Sequence, residues 1–146
     1  MGDWEAVRTR STGETIGSLA GVTGTTVTLG ANTLTTGDAT NTAYAGVIQG
    51  VGGALTKQGS GTFTLSGANT YTGLTTVAAG SLALSGGSAI ADTGAVNLST
   101  SGADLTLSTS ETIGHLAGGT GTTVPPGENT RTTGEATNTA CAGVIR

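Results

Sequence analysis

The chain has 146 residues, among them 27 glycines and 32 threonines, with aromatic residues at 3% and charged residues at 10%. Five basic residues against nine acidic ones, a formal charge of −4, speak against a nucleic-acid surface, which needs clustered Lys and Arg. No apolar run of about 18 residues is present to form a membrane helix, and the supply of Leu, Ile and Phe is too small for a wide globular core.

Low hydrophobicity with abundant Gly and Ser also occurs in disordered chains, but those carry more Pro, Lys and Glu and a higher net charge. Small inward residues and polar outward ones suit a thin β-solenoid, in which each coil buries little and stacks on its neighbours. The single cysteine, Cys141, cannot form an internal disulfide and leaves the redox compartment open. The start, Met1-Gly2-Asp3-Trp4-Glu5, has no basic n-region and no apolar h-region, so no targeting signal is read in this chain.

In chain order, residues 1–10 match nothing later and read as an irregular leader. From Ser11 a long repeat begins. Residues 11–49, STGETIGSLAGVTGTTVTLGANTLTTGDATNTAYAGVIQ, recur as residues 108–146 with an offset of 97, and 29 of the 39 aligned positions are identical. An offset of 97 is too long for one solenoid coil, but it divides into about five coils of roughly 20 residues. Alternating apolar residues predict strands at 14–20, 25–29, 32–36, 43–49, 54–57, 62–65, 70–77, 81–84, 95–98, 104–107 and 112–117. Gly-rich or Asn/Asp-containing turns separate them, as at Gly59-Ser60-Gly61, Gly67-Ala68-Asn69 and Asp92-Thr93-Gly94. Residues 88–91 read as a short helical turn.

The two copies differ where it matters for packing. Thr28-Leu29 becomes Pro125-Pro126, and proline cannot donate to a ladder. Leu34 becomes Arg131, placing a charge at an inward position. The chain therefore divides into a leader at 1–10, solenoid coils at 11–124 with a repeat core at 55–84, and degenerate terminal coils at 125–146. Val27, Leu29, Leu34, Ile48, Phe63, Leu65, Val77, Leu82, Leu84, Val96, Leu98, Leu105 and Leu107 are the expected interior. The expected column has about seven coils.

Residues 55–84, LTKQGSGTFTLSGANTYTGLTTVAAGSLAL, closely resemble the autotransporter-associated β-strand repeat, also called the passenger-associated transport repeat. The resemblance rests on Leu55-Thr56-Lys57, on Gly59 through Gly67, on Asn69-Thr70-Tyr71-Thr72-Gly73 and on Thr75-Thr76-Val77. Leu74 departs from it, since such repeats usually carry glycine there. The resemblance implies a right-handed parallel β-helix in the passenger of a Gram-negative autotransporter, displayed at the cell surface or secreted. The implied partners are an outer-membrane β-barrel translocator in a full-length parent and adjoining β-helix coils. The repeat implies a stalk and a secretion and folding scaffold, not an enzyme; the alternative is an adhesin binding a host surface or a glycan.

No catalytic, cofactor-binding or metal residue is assigned. The acids Asp3, Glu5, Glu14, Asp38, Asp92, Asp104, Glu111, Glu128 and Glu135 are spread thinly, and a carboxylate pair for acid–base work would have to converge. His115, the one histidine, stands where the first copy has Ser18, and nothing specifies an orienting partner for it. Gly59-Ser60-Gly61 lacks the Gly-Lys-Ser/Thr and the helix of a phosphate loop. Tyr71 and Trp4 are isolated aromatics, more consistent with packing than with sugar stacking. The Thr-x-Thr triplets centred on residues 27, 34, 63 and 71 resemble the ladders of ice-binding solenoids, but gaps of 7, 29 and 8 are too irregular for one triplet per coil. Ice binding is therefore a minority alternative.

Overall fold

The structure, a computed structural model, describes residues 13–125 and the strands Arg131–Thr133 and Val144–Ile145. All strand pairings are parallel, and the chain runs round three faces in turn, as a β-solenoid requires. The first face stacks β1 (Glu14–Ile16), β3 (Thr33–Thr36), β6 (Ala54–Lys57), β8 (Thr75–Val77), β10 (Ala95–Leu98) and β13 (His115–Gly118). The second stacks β4 (Thr42–Tyr44), β7 (Thr62–Leu65), β9 (Ser81–Leu84), β11 (Asp104–Leu107), β14 (Thr123–Val124) and β16 (Val144–Ile145). The third has two strand pairs, β2 (Thr26–Thr28) with β5 (Val47–Gln49), and β12 (Glu111–Ile113) with β15 (Arg131–Thr133).

Period-two alternation becomes inward columns because in-register parallel stacking sets like positions above one another. Phe63, Leu82 and Leu105 form one such column on the second face, beside Tyr44, Leu65, Leu84 and Leu107. On the first face Leu34, Leu55, Thr75, Val96 and Leu116 follow one another inward. Of the thirteen expected interior residues, eleven are buried, and Val27 and Leu107 are partly buried against them. Tyr44, Leu55, Tyr71, Ile90, Ile113, Leu116 and Val124 join this core as well.

Five strands begin and end where alternation placed them, at 54–57, 62–65, 81–84, 95–98 and 104–107. Where the expectation ran on too long, the chain turns a corner. The predicted strand 43–49 is two strands, β4 and β5, because the second and third faces meet at Ala45-Gly46, and 112–117 likewise divides at Gly114 into β12 and β13. Among the described residues there is no helix, so the helical turn expected at 88–91 is not formed. That segment instead carries Ala89 and Ile90 into the core on the third face. The described coils amount to about five turns rather than seven, or about 24 Å of column at 4.8 Å per step. The leader at 1–10 lies outside the described residues, as does most of 125–146.

The long repeat is out of phase with the coils. Successive first-face partners Glu14, Leu34, Leu55, Thr75, Val96 and Leu116 are 20 or 21 residues apart, so five coils take 102 residues. The repeat offset is 97, which does not span five whole coils as the sequence reading supposed. Each copy keeps its own stacking: Glu14 pairs with Leu34 as Glu111 pairs with Arg131, and Thr26 with Val47 as Thr123 with Val144. The described strands of the second copy are set back by one face. Its ETI segment, on the first face as β1, returns on the third as β12.

Close stacking also fixes certain glycines. A Cβ on Gly67 would run into the carbonyl oxygen of Gly46 in the coil below, whereas one on Gly119 would meet nothing within 4 Å. In the first copy the place of Gly119 is taken by Val22, which is 72% exposed. Gly67→Ala is expected to cost about 2–3 kcal/mol in urea unfolding, and Gly119→Ala to stay within about 0.5 kcal/mol of the parent.

Candidate functional site

Of the described residues that sequence reading weighed for chemistry, Glu111 comes near Asp92 and Tyr71, and the others are spread along the column. Among the described residues no group of three or more His, Cys, Asp or Glu is placed to hold a metal ion. His115 lies at the start of β13, half-buried, and its counterpart Ser18 is exposed. Asp38 and Asp92 sit in corners; the Thr40 hydroxyl and, at 2.7 Å, the Thr40 backbone N–H both donate to the Asp38 carboxyl and hold it below its usual range. Tyr71 is buried at 1% exposure and donates to or accepts from Thr75 Oγ1 at 2.7 Å, so its ring packs in the core and offers no sugar-stacking surface. Trp4 and Cys141 lie outside the described residues.

What the structure does assemble is a set of buried polar side chains, most of them spanning adjacent coils, a role that sequence reading gave to none of them. A polar group taken out of water must find partners or cost several kcal/mol. Lys57 is 1% exposed, on the same side of β6 as Leu55. Its ammonium donates to the carbonyls of Gln58 at 2.7 Å, Gly59 at 2.8 Å and, one coil on, Ala79 at 3.1 Å. Those three acceptors match its three N–H donors. They lie at the corner after β6 and at its counterpart after β8, where the chain leaves the ladder. Burial pushes the Lys57 pKa down, against a smaller pull upward from the Asp38 carboxylate.

On the third face the same role falls to an amide. Asn69 is 4% exposed; its Oδ1 accepts the Ile48 N–H at 2.8 Å and its Nδ2 donates to Ala89 O at 2.7 Å. One side chain thus joins the coil below to the coil above, between β5 and residues 88–90, where no regular strand forms. One coil further, Glu111 accepts the Ile90 N–H at 2.9 Å. Thr75 is buried and polar but bonds within its own coil: it replaces an aliphatic residue in the first-face column, where its hydroxyl meets the Tyr71 phenol. The available signal was parity, because Lys57 alternates with Leu55 and Glu111 with Ile113. Asn69, in an irregular corner, gave no such sign.

Four of these residues, Lys57, Asn69, Tyr71 and Thr75, lie in the stretch 55–84, which contributes strands to the first two faces and a polar bridge to the third. The molecule is thus a parallel β-helix whose central coil is held by its own polar residues. Residues 55–84 match the family model described as passenger-associated-transport-repeat, the repeat that their motif resembles. No curated protein and no solved structure matches the chain.

Lys57→Met keeps the stem but leaves three carbonyls without their donor, and is expected to lower stability by about 3 kcal/mol in urea unfolding. Burial raises the Tyr71 phenol from 10.0 to about 12. The unfolded chain gives up that proton first, so stability should fall as pH rises above 10.0, with Tyr71→Phe losing most of the dependence. Phenolate absorbance at 295 nm against pH, followed in both proteins, checks this.

Proposed function

We propose that this chain is a structural passenger segment, a β-helical stalk that also serves as secretion and folding scaffold for a surface-displayed or secreted autotransporter. The supporting observation is that the buried polar residues of the repeat are spent on the column itself: Lys57 and Asn69 join adjacent coils, and Thr75 bonds Tyr71 within its own coil. A column stacked in this way grows by adding coils to an existing edge, which fits a chain that folds progressively as it emerges. In the full-length parent the partners are an outer-membrane β-barrel translocator and adjoining coils. Residues 125–146 are read as degenerate terminal coils, consistent with β14 ending at Val124, just before Pro125-Pro126.

The adhesin reading has one observation in its favour. Val51 is 84% exposed and Leu74 is 44% exposed, both at the corner between the third and first faces. Single exposed apolar residues are ordinary on protein surfaces, so this is the second reading. Ice binding has less support. The triplets centred on Val27, Leu34, Phe63 and Tyr71 fall on three different faces, and the column Thr15, Thr35, Thr56 and Thr76 on the first face has Thr33 and Ala54 beside it, not a second threonine row.

The test places the whole chain between a secretory signal and an outer-membrane β-barrel in a Gram-negative host. Surface display, read by protease accessibility on intact cells, should drop severalfold when residues 55–84 are deleted. Glycan and matrix-protein arrays should show no binding. Undiminished display without 55–84 would end the scaffold reading, and binding abolished by Val51→Ser with Leu74→Ser would replace the stalk with the adhesin.

A further inference from the structure

The one-face setback of the second copy gives one glutamate two environments. Glu14 and Glu111 head the same Glu-Thr-Ile-Gly sequence. Glu14 is exposed on β1, whereas Glu111, on β12, is only 3% exposed. Its Oε1 takes the Ile90 N–H, and its Oε2 has no hydrogen-bond partner among the described residues. Residues 88–90 form no strand, so this carboxyl stands where backbone pairing would otherwise join β12 to the coil before it. The tie is therefore made by a titratable group whose second oxygen is removed from water.

We propose that Glu111 is a proton-operated latch: as the neutral acid it holds the coil beginning at β12 against residues 88–90, and as the carboxylate it loosens that contact. An ionised oxygen sealed from water without a donor is far more costly than a neutral one, so ionisation favours opening of the corner to hydrate it. The charged and titratable groups around it are few. From the coil before it, Asp92 faces it with a like charge and Tyr71 contributes a buried phenol; on the strand after it, the residue in register is Arg131. Burial, with Asp92 adding to it, raises the Glu111 pKa above 4.5, while the N–H groups of Ile90 and Ala89 work in the opposite direction. With the folded value raised, the unfolded chain ionises first. The contribution of Glu111 is then largest at and below pH 4.5 and is lost as pH climbs through the folded value. Ordinary paired carboxylates show the reverse.

The experiment is hydrogen exchange by NMR on the full chain at about pH 5 and about pH 8, with protection corrected for the intrinsic rate. In the parent, protection at Ile90 and across residues 112–118 should rise by about fivefold on acidification. Glu111→Gln, which carries no charge, should hold high protection at both pH values. Glu14→Gln should behave as the parent. Protection that stays flat or falls on acidification in the parent would overturn the latch, the latter outcome assigning Glu111 to a cation such as Arg131. A pH dependence retained in Glu111→Gln would overturn it equally. Should Glu111→Gln not fold, Asp92→Asn serves instead. Removing that like charge should move the midpoint of the protection change to lower pH, and an unmoved midpoint would count against the proposal.

Discussion

The column depends on one constraint: each coil must land on the one before it in register, a single ladder step away. A β-solenoid has no wide core, so side chains in one coil find their packing partners mainly in the coils above and below. The 20- or 21-residue spacing of the first face is thus the condition under which Phe63 meets Leu82 and Leu105, and Leu34 meets Leu55. It is also why glycine is needed at Gly67, where the coil below approaches too closely for any side chain.

That constraint is local, which explains how a duplicated segment can sit out of phase with the helix that contains it. Every face asks the same of a strand, alternate residues inward and a parallel neighbour one coil away. A segment whose strands pair among themselves, as β1 with β3 and β2 with β5 do, and β12 with β15 and β14 with β16, can therefore begin on any face. What does not carry over is the environment of each residue. A glutamate at the exposed end of the first face becomes a buried bridging group on the third, and Thr26-Val27-Thr28 on the third face becomes a two-residue strand on the second, stopped by proline.

The corners set the other demand. Backbone ladders satisfy N–H and C=O groups along the faces, but each corner breaks the ladder and leaves groups to be met in another way. Lys57 meets three carbonyls, Asn69 one N–H and one carbonyl, and Glu111 one N–H in the coil before it. Removing one partner from such a bridge strands the others in a dry interior, so these residues count for more than their number suggests. In a chain with 10% charged residues, the burial of Lys57 and Glu111 is the clearest departure from a simple apolar column.

Alternation and turn chemistry are properties of neighbouring residues, so the all-β architecture, five strands to the residue and most of the interior could be read from residue order alone. The repeat stretch at 55–84 was equally legible, because its motif is contiguous. Corners were harder: whether Ala45-Gly46 lies inside a strand or between two depends on which coil lies beneath. The phase of the long repeat, the burial of Lys57, Asn69 and Glu111, and the inward turn of Tyr71 toward Thr75 emerge once the coils are stacked. Each depends on residues about 20 positions away coming within hydrogen-bonding distance, or, for Tyr71, on which side of an irregular corner faces the core. Periodicity says which side of a strand faces inward; only the stacking of coils says what it finds there.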